Sequence, residues 1–213
     1  MTVGKLVLAA MTVAAITLMA PAGASAHEWY THTEKSGEVT VGLDTENAVE
    51  VEFSGSLSTT VAGGAVQLGP CEVHANVAVW NRKFLGGGVE GTGEITSIES
   101  TMYCPISSPL PIIPPGCTIK EASSGEFPWD ITVTLVTELT ITGANFSTRF
   151  TGCEPSLPPE IAVEGTATTV AVNGTEEVCL VFNNSGDLTT PPPGGNPVTI
   201  DGEICAPGLT LSN

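Results

Sequence analysis

Cys71-Glu72-Val73-His74-Ala75-Asn76-Val77-Ala78-Val79 is the stretch that decides the fold class. In an extended chain Cys71, Val73, Ala75, Val77 and Val79 point one way and Glu72, His74, Asn76 and Ala78 the other. One apolar side and one polar side at a period of two describe a half-buried antiparallel strand. The same reading extends outward. Ile131, Val133, Leu135, Leu139 and Ile141 alternate with Thr132, Thr134, Glu138, Thr140 and Thr142, which predicts a strand over 131–142. Shorter strands are predicted at 38–43, 48–53, 94–101, 160–164, 167–172, 176–182 and 198–204, rich in Thr and Val and bounded by turn residues. Asn173-Gly174 predicts a hairpin, because both residues tolerate positive φ. After the first 26 residues almost nothing reads as helix. The chain is therefore expected to be all-β, an antiparallel sandwich or open barrel, since a parallel sheet would need crossover helices.

Two proline-rich segments must lie outside central strands, because proline has no N–H for a ladder. Pro105–Pro115 holds five prolines in eleven residues, and Pro191–Pro197 four in seven. Both read as stiff surface connections.

Residues 1–26 have the layout of a secretory signal peptide. Lys5 supplies the positive start, Leu6–Ala20 the apolar stretch, and Pro21-Ala22-Gly23-Ala24-Ser25-Ala26 the small residues of a cleavage site. A transmembrane anchor is the rival reading. Fifteen residues of helix reach only about 22 Å, against a hydrocarbon core of about 30 Å. Cleavage would place His27 first and leave residues 27–213 as one β-rich domain, with a subdivision near residue 120 as the alternative.

The protein has 23 acidic residues against six Lys and Arg, a net charge of −17. Nucleic-acid binding requires a basic footprint to displace counterions, and the scattered Lys35, Arg82, Lys83, Lys120 and Arg149 do not make one. The same charge argues against anionic membrane surfaces. Cell-envelope or other extracellular components remain as the class of partner.

Cys71, Cys104, Cys117, Cys153, Cys179 and Cys205 are even in number, and all follow the export segment. In an exported chain this predicts three disulfides. No C-x-x-C pair suggests zinc or redox chemistry. Six cysteines allow fifteen connectivities, among which sequence alone does not choose; spacing leans toward Cys104–Cys117 across the proline loop and Cys179–Cys205, which leaves Cys71–Cys153.

Two kinds of chemistry are worth weighing. Cleavage before His27 would expose an amine and an imidazole able to chelate copper together, with His32 or His74 as a further ligand. Mono-oxygenases with such a histidine brace are exported β-sandwiches. Against this, His27 and His32 also suit a solvated terminus, and His74 the wet face of its strand. Carboxylates are the second possibility. Glu50 and Glu52 share one face of a strand at about 7 Å, a glycosidase-like separation, and Glu72 and Asp130 are further candidates. Any alternating acidic strand offers the same spacing. No G-x-S-x-G elbow or calcium loop occurs, and Gly86-Gly87-Gly88 with Gly91 and Gly93 precedes a strand rather than a helix, so it reads as a hairpin loop. The sequons at Asn145, Asn173 and Asn183 permit glycosylation.

Glu126-Phe127-Pro128-Trp129-Asp130, taken with Trp29-Tyr30, the Gly-rich stretch 86–93 and strands closed by Gly116-Cys117 and Gly152-Cys153, resembles uncharacterised exported β-rich proteins of actinobacteria. The likeness spans most of residues 27–155. It implies export and a β fold, and it carries no activity. The expectation is a secreted or surface-associated, non-enzymatic β protein without a cofactor, with Trp129 in a packing role. A copper protein and a carboxylate-dependent glycoside hydrolase are the alternatives.

Overall fold

The computed structural model describes residues 27–33, 37–42, 45–61, 66–83, 89–100, 104–108, 113–134, 137–154, 156–191 and 195–212. Residues 1–26, expected from the sequence to be a signal peptide, and the glycines at 86–88 lie outside them.

The chain is an antiparallel β protein. In order it forms β1 (Trp29–Thr33), β2 (Gly37–Thr40), a 3-10 turn (Thr45–Asn47), β3 (Val49–Val61), β4 (Val66–Lys83), β5 (Val89–Ser100), β6 (Ile106–Ser107), β7 (Thr118–Ser124), β8 (Trp129–Val133), β9 (Glu138–Thr151), β10 (Glu160–Asn173), β11 (Glu177–Thr189), β12 (Pro197–Pro207) and β13 (Leu209–Leu211). Eight of these make a closed ring, β3-β4-β5-β8-β9-β10-β11-β12, in which each strand pairs with the next and β12 returns to β3. Of the two expected layouts the chain adopts the barrel, and the ring is complete. Strands on both sides of residue 120 share it. β6 is added to β4 and β7 to β9.

The deciding stretch lies in β4 as read, with Val73, Ala75, Val77 and Val79 buried and Glu72 and Asn76 exposed. Ala78 is covered too, between Glu50 and Glu94 in register. Position 131–142 departs from the expectation, being two strands joined by a hairpin. Ile131 pairs with Ile141, and the Thr134 N–H donates to Glu138 O. Odd-numbered residues face inward on both arms, so the alternation runs through the turn without a break. Conversely, 160–164 and 167–172 form one strand, with an irregularity at Gly165/Thr166. The Asn173-Gly174 hairpin is present, but its turn is longer than two residues. Asn173 pairs with Val178, and the Gly174 N–H donates to Glu177 O.

The disulfides are Cys71–Cys104, Cys117–Cys153 and Cys179–Cys205. Only the last agrees with the spacing argument; Cys104–Cys117 and Cys71–Cys153 are corrected. The pairing follows the ladders, not the proline loop. Leu68 opposite Ile106 and the Gly69 N–H on Pro105 O bring Cys104 to Cys71. Thr118 opposite Thr151 sets Cys117 beside Cys153, and Cys179 faces Cys205 directly. Three cross-links are consistent with an extracellular location.

One end of the barrel is capped by a three-stranded sheet, β13-β1-β2, which buries Trp29, Val41, Leu209 and Leu211. Asn81, fully buried on β4, ties it down. Its Oδ1 accepts from the Trp29 N–H at 2.8 Å, and its Nδ2 donates to Val41 O at 2.9 Å and Trp29 O at 3.2 Å. The Trp29 indole donates to Thr92 O at 3.0 Å. Asn173 fastens β13 by accepting from the Leu211 N–H and donating to Leu211 O.

Candidate functional site

The barrel's centre is hollow. A cavity of about 480 Å³ lies between the capped end and the opposite end, where Val61, Val66, Leu188 and Val198 meet in register. Its cause is visible strand by strand. Inward positions at mid-barrel carry Ala75 on β4, Ala144 on β9 and Ala167 on β10, all buried and all in the cavity wall. Eight strands enclose just enough space for side chains to fill or for one small ligand. Where these inward side chains, one on β4 and two on the β9–β10 pair, are methyl groups, the space stays open. Phe146, Phe182, Trp129, Ile98, Ile141 and Leu180 complete an apolar surround.

The wall has a seam. β5 pairs with β8 only from Thr92 to Ile95, and β7 pairs with β9. Among the described residues no ladder joins the rest of β5 to β7. Ile98–Ser100 on one side and Ala122–Ser124 on the other both border the cavity, and Ala122, Ser123 and Glu99 are exposed. The hollow therefore reaches the surface through the side of the barrel. The Cys71–Cys104 disulfide borders it as well.

The outer wall is polar. Among the described residues Val170 and Val172 are the exposed large apolar side chains, far from the tall apolar band of a membrane-spanning barrel. A second hollow of about 320 Å³ is walled by one loop, Phe150–Glu154 with Leu157–Pro159, and holds no pair of reactive groups.

The structure does not gather the candidate copper ligands. The His27 ring Nδ1 is 3.0 Å from Ser212 O, and His27 bridges to Glu90. His74 pairs with Glu99 at the other end of β5. Nine residues of strand separate the two positions, about 30 Å. His32 lies on β1, five residues beyond His27, about 17 Å along an extended segment. Glu50, Glu52, Glu72 and Asp130 are all exposed on the outer wall, away from the cavity. Glu52 and Glu72 instead flank His74, with Glu52 Oε1 2.6 Å from Nδ1 and Glu72 Oε1 3.5 Å from Nε2. Trp129 has the packing role expected of it. It is buried, stacks on Phe127 at 5.0 Å between ring centroids, and donates from Nε1 to Glu126 O.

Comparison with family models, curated proteins and solved structures finds no match to this chain.

Hydrogen bonding to Glu52, then to Glu72, raises the His74 pKa above its ordinary 6.5. A raised pKa in the folded state contributes stability that is fully present below the unfolded value and is lost as pH rises through the folded one. In an NMR titration the His74 ring should titrate above 6.5, and Glu52→Gln should move its midpoint down. A wild-type midpoint at or below 6.5 would refute the assignment. On the same outer wall, Arg149 joins Glu160 at 3.0 Å and Glu121 at 3.4 Å, linking β7, β9 and β10 and holding the Glu160 carboxyl below its usual range.

Proposed function

We propose that the protein is a secreted, non-enzymatic binding protein whose barrel takes up one small apolar molecule. The supporting observation is the hollow of about 480 Å³ lined by aliphatic and aromatic side chains. Protein interiors pack as densely as organic crystals, so a hollow of this size that opens to the surface stands out from ordinary packing and falls in the size range of small-molecule sites. Dry apolar cavities far smaller than this one take up apolar guests. Secretion rests on the order of Lys5, Leu6–Ala20 and Pro21–Ala26 and on three cross-links suited to an oxidising compartment. The exposed, solvated placement of the candidate acids speaks for a non-enzymatic role.

Pyrene, a hydrocarbon whose emission reports the polarity around it, tests the reading. Titration should saturate at one pyrene per chain with the emission of an apolar surround. Ala167→Trp, which fills the hollow from β10, should weaken uptake at least about tenfold. Absence of saturable uptake by the wild-type protein would end the proposal.

A further inference from the structure

The cavity interior is uncharged, and all but one of the hydroxyls in its lining lie on one side. Its one ionisable residue is Glu99, exposed at the seam and placed opposite His74 in register. Apart from Thr59 on β3, the hydroxyls cluster on the seam side, on the end of β5, on β7 and on the second half of β9. Thr148 is the decisive one. It lines the cavity, is 7% exposed, and makes no side-chain hydrogen bond among the described residues. It shares the inward-facing side of the β7–β9 pair with Phe146 and Ser124: Ala122 stands opposite Thr148, and Ser124 opposite Phe146. A buried hydroxyl left unpaired costs free energy, so the site is incomplete as it stands.

We infer that the guest is a neutral amphiphile, an apolar body carrying a single uncharged hydroxyl or carbonyl group that hydrogen-bonds Thr148 on the seam side of the cavity. This rests on the binding reading above and adds the chemical class. A carboxylate head is disfavoured because no positive charge lines the cavity, and an ammonium head because the one acid of the lining, Glu99, is exposed at the seam and leaves the interior without a partner for it; burying an unpaired ion is far costlier than burying a hydroxyl with a partner. A pure hydrocarbon would fill the apolar part and leave Thr148 unsatisfied.

The test displaces bound pyrene with 1-octanol, octanoate and octylammonium at pH 8. The inference expects 1-octanol to displace at least about tenfold more effectively than either ion. Thr148→Val should lower the ratio of 1-octanol to pyrene affinity about fivefold, as befits the loss of one hydrogen bond. Thr148→Ser, which keeps the hydroxyl, should retain the preference and guards against a folding defect in the valine variant. Octanoate or octylammonium displacing as well as 1-octanol, or a Thr148→Val protein with that ratio unchanged, overturns the inference while pyrene uptake leaves the binding reading intact. Failure of the wild-type protein to take up pyrene removes both.

Discussion

Asn81→Ala should lower the unfolding free energy by about 3–5 kcal/mol. Asn81 is fully buried, and its side chain is the partner of two groups that alanine would strand, the Trp29 N–H and the Val41 carbonyl. Each buried unsatisfied group costs about 1–3 kcal/mol, and the void left by the amide adds to it. The Trp29 carbonyl is less affected, since the Val41 N–H also donates to it. Against the roughly 5–15 kcal/mol that holds a domain together, this is a large share. Urea denaturation followed by tryptophan fluorescence, with disulfides intact, measures it. A loss under about 1 kcal/mol would show that the cap is held by its apolar contacts alone. Asn81→Asp keeps the acceptor for Trp29 but turns an anion toward two carbonyls, and should be no milder.

Gly202→Ala is expected to cost about 2–4 kcal/mol, for a different reason. Gly202 sits in β12 with φ of 131°, and a Cβ there would run into the Ser56 carbonyl and lie 3.0 Å from the Leu57 Cα. The obstruction falls on the β12–β3 pairing that completes the ring. Gly195→Ala provides the comparison. Its φ of 55° is in the left-handed region, with nothing within 4 Å of a Cβ, so only the conformational cost of about 1 kcal/mol applies. Thermal unfolding of the two variants separates the effects. Equal losses would mean that the close approach of β3 to β12 relaxes freely.

What the sequence made legible was whatever depends on neighbours within one strand. The inward and outward faces of 71–79, the hairpin near Asn173 and the buried place of Trp129 follow from alternation, turn chemistry and ring size. Partners across strands were harder to read. Alternation cannot reveal the reversal between Val133 and Glu138, because both arms keep the same phase. Cys71 and Cys104 meet through β6, a two-residue strand too short to carry a pattern. Asn81 has the composition of a wet position, and only the arrival of Trp29 and Val41 from a distant segment makes it an interior anchor. The cavity had a faint signal in Ala75, Ala144 and Ala167, each a small residue at an inward position. No one of them predicts a hollow until closure brings the three strands around a common axis.

Closure itself has a consequence for how the molecule is made. The first barrel strand waits for the last, since Val61 takes its partner Val198 only once β12 has emerged. Until then β3 offers a bare row of amides and carbonyls to any passing chain. Assembly governed by such distant pairings is slow, and the nascent protein is most vulnerable to self-association in that interval.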